Sequence, residues 1–177
     1  RPRCGTPWTG AGARGDPAAV VGPISSADLA AVEALLDAEF AGRVQVRLGE
    51  VVDVLALPGL VARADGRVTG YVAYRVDDGE AEIAALVVAA GERHAGTGTA
   101  LVEAVARLAR DAGARRLWLV TTNDNVDALR FYQRRGFRLA ELHVGAVDEA
   151  RRLEPAIPAV GDHGIPIRDE LVLERPL

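Results

Sequence analysis

The chain has 177 residues, of which 49% are apolar and 26% charged, and this length and composition fit one globular domain. Acidic residues outnumber basic ones and give a formal net charge of −4, which argues against nucleic acid as the main partner. No apolar run approaches the roughly 20 residues needed to cross a bilayer, and no signal-like segment follows the first arginines, so we expect a cytoplasmic protein without a membrane partner. Cys4 is the only cysteine, which excludes a disulfide or a thiolate metal cluster within this sequence.

The first third of the chain predicts an extension followed by the start of a folded domain. Residues 1–18 are rich in Gly, Pro, Ala and Arg without periodicity, which predicts a flexible N-terminal extension. We expect one domain over residues 19–177. Residues 19–21 can begin a strand, and residues 25–28 offer N-cap candidates for a helix. A second, short helix is predicted at residues 47–57.

The middle of the chain predicts an antiparallel meander. Asp65-Gly66 separates two apolar runs, residues 60–62 and 67–76, and is a strong two-residue hairpin signal. A second tight turn at residues 77–79 leads into a strand from Glu82 to Val88. Three consecutive strands joined by such short turns run antiparallel.

The second half changes to alternating helices and strands. We predict a helix from about Gly98 to Ala112, a short apolar strand from Arg116 to Thr121, a helix from about Asn125 to Arg135, and a strand that opens at Phe137. The apolar strand suits a buried parallel neighbour, and this order implies right-handed crossover packing.

The C-terminal region predicts a long loop and one last strand. Residues 145–166 contain three prolines and are predicted as a loop with one helical turn near residues 148–153. Residues 168–174 alternate well enough to form the last strand.

The most informative segment joins the middle strand to the following helix. The strand ends in Leu86-Val87-Val88, and a glycine-bearing turn at residues 93–98 opens the helix. Glycines let the backbone approach a ligand, and the free N–H groups of a helix N-terminus favour an anion such as a diphosphate. This turn is not a Rossmann fingerprint, because the third glycine position holds Leu101, and it lacks the Gly-Lys-Ser/Thr of a Walker loop. A nucleotide-binding protein with another kind of diphosphate loop is one alternative.

Two motifs in this order resemble the GNAT superfamily of N-acetyltransferases. Arg93, Gly96 and Gly98 match the family's Arg/Gln-x-x-Gly-x-Gly/Ala loop, and Asn125 to Phe137 matches its second signature, Asn-x-x-Ala-x-x-x-Tyr-x-x-x-Gly-Phe. The resemblance covers about residues 19–145. It implies an α/β (mixed α+β) fold whose central sheet has an antiparallel N-terminal half and parallel strands splayed at the coenzyme site.

The chain departs from the family pattern at two positions, and its tail resembles one subgroup. His94 stands where the family usually has glycine, and Ala90 where it often has proline. Residues 164–170 look like those of a bacterial subgroup of the family that has no clear substrate assignment.

The resemblance implies acetyl-CoA as co-substrate and no metal. The pantetheine arm would lie between the two splayed strands, and main-chain N–H groups of the loop would hold the diphosphate. The residues implied for coenzyme binding are Leu86, Val87, Val88, Arg93, His94, Ala95, Gly96, Thr97, Gly98, Thr99, Asn125 and Tyr132. Arg130 and Arg134, spaced i and i+4, with Arg135 and Arg138 nearby, either offset the charge of the 3′-phosphate or form a solvated helix face.

The resemblance also implies two catalytic residues, Glu82 and Tyr132. Glu82 occupies the position of a family glutamate that acts as base through water, and period-two counting places it on one face with Leu86 if no bulge intervenes. The alternative to a catalytic role is that the Glu82 side chain faces solvent or forms an ion pair with an arginine. Tyr132 would protonate the departing thiolate, or else it is a core aromatic. Asn125 would hold the pantetheine arm, cap its helix, or do both.

These observations predict acetyl transfer from acetyl-CoA to a primary amine, by direct attack within a ternary complex. A small-molecule amine is the expected acceptor. The alternative from another class is a non-catalytic acyl-CoA-binding module that acts as a sensor. A homodimer is an expectation of the resemblance, and His143 and His163 lack the spaced partners that a metal site requires.

Overall fold

The computed structural model describes residues 19–40, 42–93 and 96–177, so the predicted extension at residues 1–18 lies outside the described part. The strands are β1 Val20–Pro23, β2 Val44–Arg47, β3 Glu50–Asp53, β4 Gly59–Ala64, β5 Arg67–Asp77, β6 Glu80–Val88, β7 Arg116–Thr122, β8 Arg138–His143 and β9 Glu170–Pro176. The α-helices are α1 Leu29–Glu39, α2 Thr97–Asp111, α3 Val126–Gln133 and α4 Ala146–Leu153. None of these helices is both long enough and apolar enough to span a membrane.

One mixed sheet organises the domain and confirms the predicted fold class. Its seven strands follow the spatial order β1-β4-β5-β6-β7-β9-β8, and the separate hairpin β2–β3 lies outside it. Within the described chain, only β6 and β7 pair in parallel, joined by the crossover helix α2. The last strand β9 inserts antiparallel between β7 and β8, a placement that the alternation of helices and strands did not predict.

The two predicted hairpin turns of the meander are confirmed. Asp65 and Gly66 join β4 to β5 with φ of 50° and 76°, and Asp78 and Gly79 join β5 to β6 with φ of 49° and 78°. Two consecutive positive φ values match the twist of the flanking strands, and Asp-Gly tolerates them well.

The sheet separates two apolar layers. Helix α2 covers one face, where Leu101 and Val105 pack with Leu117 and Leu119 of β7. Helix α1 covers the other face, where Leu36 packs in a cluster with Tyr71 and Val87. Helix α3 belongs to the α2 side, because Tyr132 and Ala128 pack into the same cluster as Leu101.

The predicted helix at residues 47–57 is wrong, because this segment contains most of the β2–β3 hairpin and a 3-10 turn at Val54–Ala56. Leu48 and Gly49 form its two-residue turn with φ of 46° and 75°. The flanking valines are β-branched and favour strands, whereas glycine interrupts a helix.

The tail is also more regular than predicted. Helix α4 spans Ala146–Leu153, which is two turns rather than one, and β9 spans Glu170–Pro176. Between them, the loop closes on itself through a bridge between Val160 and Pro166. The Arg151 guanidinium donates to the carbonyls of Pro158 and Ile167, at 2.7 Å each, which ties the loop to α4.

A β-bulge in β6 corrects the expected orientation of Glu82. Ile83 pairs with Tyr74 and Ala85 pairs with Ala73, so Ala84 is an extra residue in the ladder. A bulge reverses the alternation of side chains beyond it. Glu82 therefore faces the α1 side of the sheet, whereas Leu86 packs on the α2 side, and the shared face that we expected is wrong.

The fold makes a prediction about the fully buried Tyr71. Its hydroxyl donates to the Val54 carbonyl at 2.8 Å and anchors the hairpin segment on the sheet. Tyr71→Phe leaves that buried carbonyl without its donor, so we expect the free energy of unfolding to fall by about 1–3 kcal/mol in urea denaturation. Tyr74→Phe, on the same strand, is the control because its hydroxyl bonds no described residue, and it should change stability by less than ~0.5 kcal/mol. Equal losses in both variants would contradict this account.

Candidate active site

The candidate site begins where β6 and β7 separate. The two strands pair from Glu80 opposite Arg116 to Ile83 opposite Leu119, and no described pair continues the ladder. The backbone groups of Ala84 to Val88 that point towards β7 therefore have no strand opposite them. A cavity of about 70 Å³ occupies this gap, bounded by both strands, by Phe40 and by α3.

A groove of about 800 Å³ adjoins this cavity, shares five lining residues with it, and runs to the N-terminus of α2. Most of the predicted coenzyme residues line the groove, namely Leu86, Val87, Val88, Arg93, Gly96, Gly98, Thr99, Asn125 and Tyr132. His94 and Ala95 lie outside the described residues. Thr97 is buried and packs its methyl group towards Gly70, so only its backbone faces the turn.

The N-terminus of α2 provides free backbone donors to the groove. Gly96 is the N-cap, with φ of +88°, and it has no side chain that could cap the helix. The N–H groups of Thr97, Gly98 and Thr99 precede the first intrahelical bond, which Ala100 donates to Gly96 at 2.9 Å. Together with the helix dipole, these donors favour an anion at this end.

Gly98 permits α2 and α3 to approach each other closely. A Cβ atom at this position would lie 3.1 Å from Cζ of Phe131, which is tighter than ordinary van der Waals contact. The Arg135 guanidinium stacks on the Phe131 ring, with its Cζ 3.5 Å from the ring centroid. Its Nε donates to Thr99 Oγ1 at 3.0 Å, which links α3 to the first turn of α2. The role of Phe131 was not predicted from the sequence, although its i, i+4 spacing to Arg135 on a helix was a usable signal.

The outer part of the groove is rich in arginine. Arg93, Arg130, Arg134 and Arg135 all line it. Arg93 pairs with Glu39 at the end of α1, and Arg130 pairs with Asp127 at 3.1 Å. No described residue forms a salt bridge with Arg134, so its charge is available to a ligand in the groove.

Tyr132 lies at the junction of the cavity and the groove. Its ring packs edge-on against Phe131 and Phe137, with centroid distances of 5.0 and 5.3 Å. Burial raises the pKa of the Tyr132 hydroxyl well above its usual value. The hydroxyl bonds no described residue, so both interpretations of Tyr132 agree with its position: it is a core aromatic whose polar end reaches the cavity.

Asn125 caps helix α3. Its Oδ1 accepts the backbone N–H of Ala128 at 3.0 Å, which is the capping bond that the sequence left open. Because Asn125 also lines the cavity, its amide N–H₂ remains free to face a ligand there.

Glu82 is buried and begins a chain of ion pairs that runs out to the surface. Its Oε1 accepts Nε of Arg47 at 2.8 Å, and its Oε2 accepts Nε of Arg75 at 2.8 Å. Arg75 continues the chain with two bonds of 2.9 Å to Glu50. This is the ion-pair alternative that the sequence left open, and Glu82 lines neither the cavity nor the groove. Arg47 was missed because the sequence placed it in a helix.

In the described part of the chain, no three His, Cys, Asp or Glu side chains are grouped so that they could hold a metal ion.

Comparisons with known proteins agree with this geometry. A family model described as the acetyltransferase (GNAT) family matches residues 31–137. YxbD, an uncharacterized protein of Bacillus subtilis (strain 168), is 42% identical over 113 residues, which cover 64% of this chain and 70% of YxbD.

Two solved structures show the same fold. Nourseothricin acetyltransferase superimposes with a TM-score of 0.67 at 25% identity, and a Bacillus subtilis acetyltransferase in complex with CoA superimposes with a TM-score of 0.66 at 18% identity. Each comparison covers 90% of this chain and 99% of the other. The matched family model, the separated parallel strands and the glycine turn that opens α2 lead to one conclusion: the chain belongs to the GNAT acetyltransferase family.

Proposed function

We propose that the protein is an acetyl-CoA-dependent N-acetyltransferase that acetylates a primary amine of a small molecule. One observation carries the proposal: the gap between β6 and β7 adjoins a groove that ends at the uncapped N-terminus of α2. This gap suits a narrow arm with amide groups, and the helix terminus suits a diphosphate.

The described residues offer suitable partners for the pantetheine arm, the diphosphate and the 3′-phosphate of coenzyme A in turn. The backbone of Val87 and Val88 would pair with the amides of the pantetheine arm, as an added strand pairs with a sheet edge. The free N–H groups of Gly98 and Thr99 would bind the diphosphate. Arg134 would lie near the 3′-phosphate, for which a guanidinium is a suitable partner.

The proposed chemistry is direct attack of the amine on the thioester. The nitrogen lone pair forms the C–N bond, the C–S bond breaks, and the thiolate leaves with the electron pair. A thiolate with an intrinsic pKa of about 8.5 leaves more easily when a proton reaches it. A tyrosine hydroxyl is protonated at neutral pH, and Tyr132 lines the cavity where the thiolate would form, so it can supply this proton. The burial that raises the pKa of Tyr132 makes it a weaker acid but does not change this protonation state.

A small-molecule acceptor is favoured over a protein tail. Nourseothricin acetyltransferase, by its name, acts on a small molecule, and the likeness to it covers nearly the whole of both chains. The β2–β3 hairpin lies over the α1 face near Glu82 and limits the room on the side opposite α2. A compact amine fits such a site better than an extended polypeptide.

A second candidate is a non-catalytic acyl-CoA-binding module that acts as a sensor. The observation in its favour is the position of Glu82, whose two oxygens are both engaged by arginines. Such a module would bind coenzyme without releasing thiol in the presence of any amine.

Turnover distinguishes the two candidates. A thiol-release assay with acetyl-CoA and a panel of amines should find at least one substrate. Tyr132→Phe should then lower kcat by about 10²-fold, because the thiolate loses its proton donor. Tyr74→Phe, outside the groove, is the matched control. Coenzyme binding without thiol release from any amine would favour the sensor, and equal kcat in wild type and Tyr132→Phe would remove the acid role.

The role of Arg134 is tested with two coenzymes. Arg134→Gln should weaken binding of coenzyme A by about 3- to 30-fold in calorimetry, because one charge-assisted contact with the 3′-phosphate is lost. Binding of 3′-dephospho-coenzyme A should not change. Arg138→Gln, an exposed arginine on β8 outside the groove, is the control. Equal weakening for both coenzymes would place Arg134 elsewhere on the ligand.

The close approach of α2 and α3 at Gly98 is tested by adding a side chain at this position. Gly98→Val pushes Phe131 away from α2 and changes the floor of the groove, so we expect the dissociation constant for coenzyme A to rise by ~10-fold or more. Gly91→Val is the control, because a Cβ atom there meets nothing within 4 Å. If both variants bound coenzyme A as the wild type does, the groove would not be the coenzyme site.

A further inference from the structure

The proposed reaction needs a group that removes a proton from the acceptor. A primary ammonium has a pKa near ~10 and cannot attack until it is deprotonated. The family position for this base holds Glu82, but each Glu82 oxygen accepts a hydrogen bond from an arginine, Arg47 or Arg75. Both oxygens of the Glu82 carboxylate are therefore engaged by arginines rather than left free for the acceptor.

A different carboxyl lies near the open end of the strand gap. Glu170, the first residue of β9, pairs with Thr122 of β7, and the preceding Thr121 lines the cavity. Leu171 and Leu173 pack on the α2 side of the sheet, so alternation places the Glu170 side chain on the opposite face. Glu82 occupies that same face, on β6.

The acceptor amine would approach on the face of the sheet that carries Glu82 and Glu170, opposite α2. Helix α3 and the first turn of α2 cover one side of the gap, and they line the groove together with the end of β6 and the end of α1. An acceptor on the other side of the gap would lie beside the β2–β3 hairpin and the start of β9. Like Glu82, Glu170 lines neither the cavity nor the groove, so the difference between the two carboxyls is in the partners around each.

The surroundings of Glu170 differ from those of Glu82. Glu170 is 3% exposed, and its Oε2 accepts the backbone N–H of Leu48 at 2.8 Å. Among the described residues no side chain donates a hydrogen bond to it, so Oε1 is left to accept a proton. Burial raises its pKa, against the smaller opposing effects of the Leu48 N–H, His143 of β8 and Arg47 of β2. Thr122, its neighbour on β7, brings no charge.

Given the proposed acetyl transfer, on which this inference rests, we infer that Glu170 is the base that takes the proton from the acceptor ammonium. One proton moves from the ammonium to Glu170 Oε1, the freed lone pair forms the C–N bond, and the thiolate leaves with the electrons of the C–S bond. The nitrogen loses its second proton as the amide forms, and that proton replaces the one that Tyr132 gives to the thiolate. Glu82 holds Arg47 in place instead, and through Arg47 it holds the hairpin whose turn supports Glu170.

The test compares Glu170→Gln with wild type on amines of different pKa. Glutamine keeps an oxygen for the Leu48 N–H but cannot take the proton. For an amine with a pKa near ~10 assayed at pH 7, kcat should fall by about 10²-fold or more, with KM changed by less than ~3-fold. For an amine with a pKa below the assay pH the loss should shrink to a few-fold, because no proton has to be removed. Raising the pH should restore activity of the variant on the first amine.

The control is Glu174→Gln, on the same strand and face but paired with Arg116 at the far end of β7, and it should keep wild-type kcat. A Glu170→Gln variant with unchanged kcat, or with the same loss for both amines at every pH, would overturn this inference alone. Wild-type protein that binds coenzyme A but releases thiol with no amine would overturn the proposed function and this inference with it.

Discussion

The constraint on which the site depends is a single extra residue in β6. The bulge at Ala84 follows Ile83, and Ile83 is also the last residue of β6 that pairs with β7. A bulge bends its strand and increases the local twist, which turns the rest of β6 away from a parallel neighbour. Strand β7 stays in the sheet because β9 pairs along its other edge, so the gap opens on one side only. The sheet therefore exposes backbone groups at its centre rather than at an edge.

The same bulge decides which face of the sheet each β6 side chain occupies. Beyond it, Leu86 and Val88 turn towards α2 and line the groove, while before it Glu82 turns towards the hairpin. The ion pair between Glu82 and Arg47 is almost fully buried. Removing one partner of such a pair typically lowers the free energy of unfolding by ~3–5 kcal/mol, because the other charge is left buried and unpaired. These ion pairs fix the β2–β3 hairpin on the sheet and, through Leu48, its contact with Glu170.

The sequence predicted the parts of this protein that have local signals. The Asp-Gly turns, the glycine turn before α2 and the helix that starts after Asn125 were all placed correctly, because turn chemistry and capping act over a few residues. The β2–β3 hairpin was missed, since its turn at Leu48 and Gly49 lacks the Asn or Asp that usually marks a two-residue turn. The bulge at Ala84 and the insertion of β9 depend on pairing between distant segments, which no local pattern reports. For that reason the sequence identified Glu82 by position but could not show the two arginines that bind it.

The most direct test of the account is a crystal structure of the protein with coenzyme A. The account predicts that the pantetheine arm lies in the gap between Ala84–Val88 and the end of β7, with its diphosphate at the N–H groups of Gly98 and Thr99. It also predicts that the sulfur lies in the small cavity beside Tyr132. A coenzyme bound elsewhere, with β6 and β7 closed against each other beyond Ile83, would contradict the claim that the separated strands form the active site.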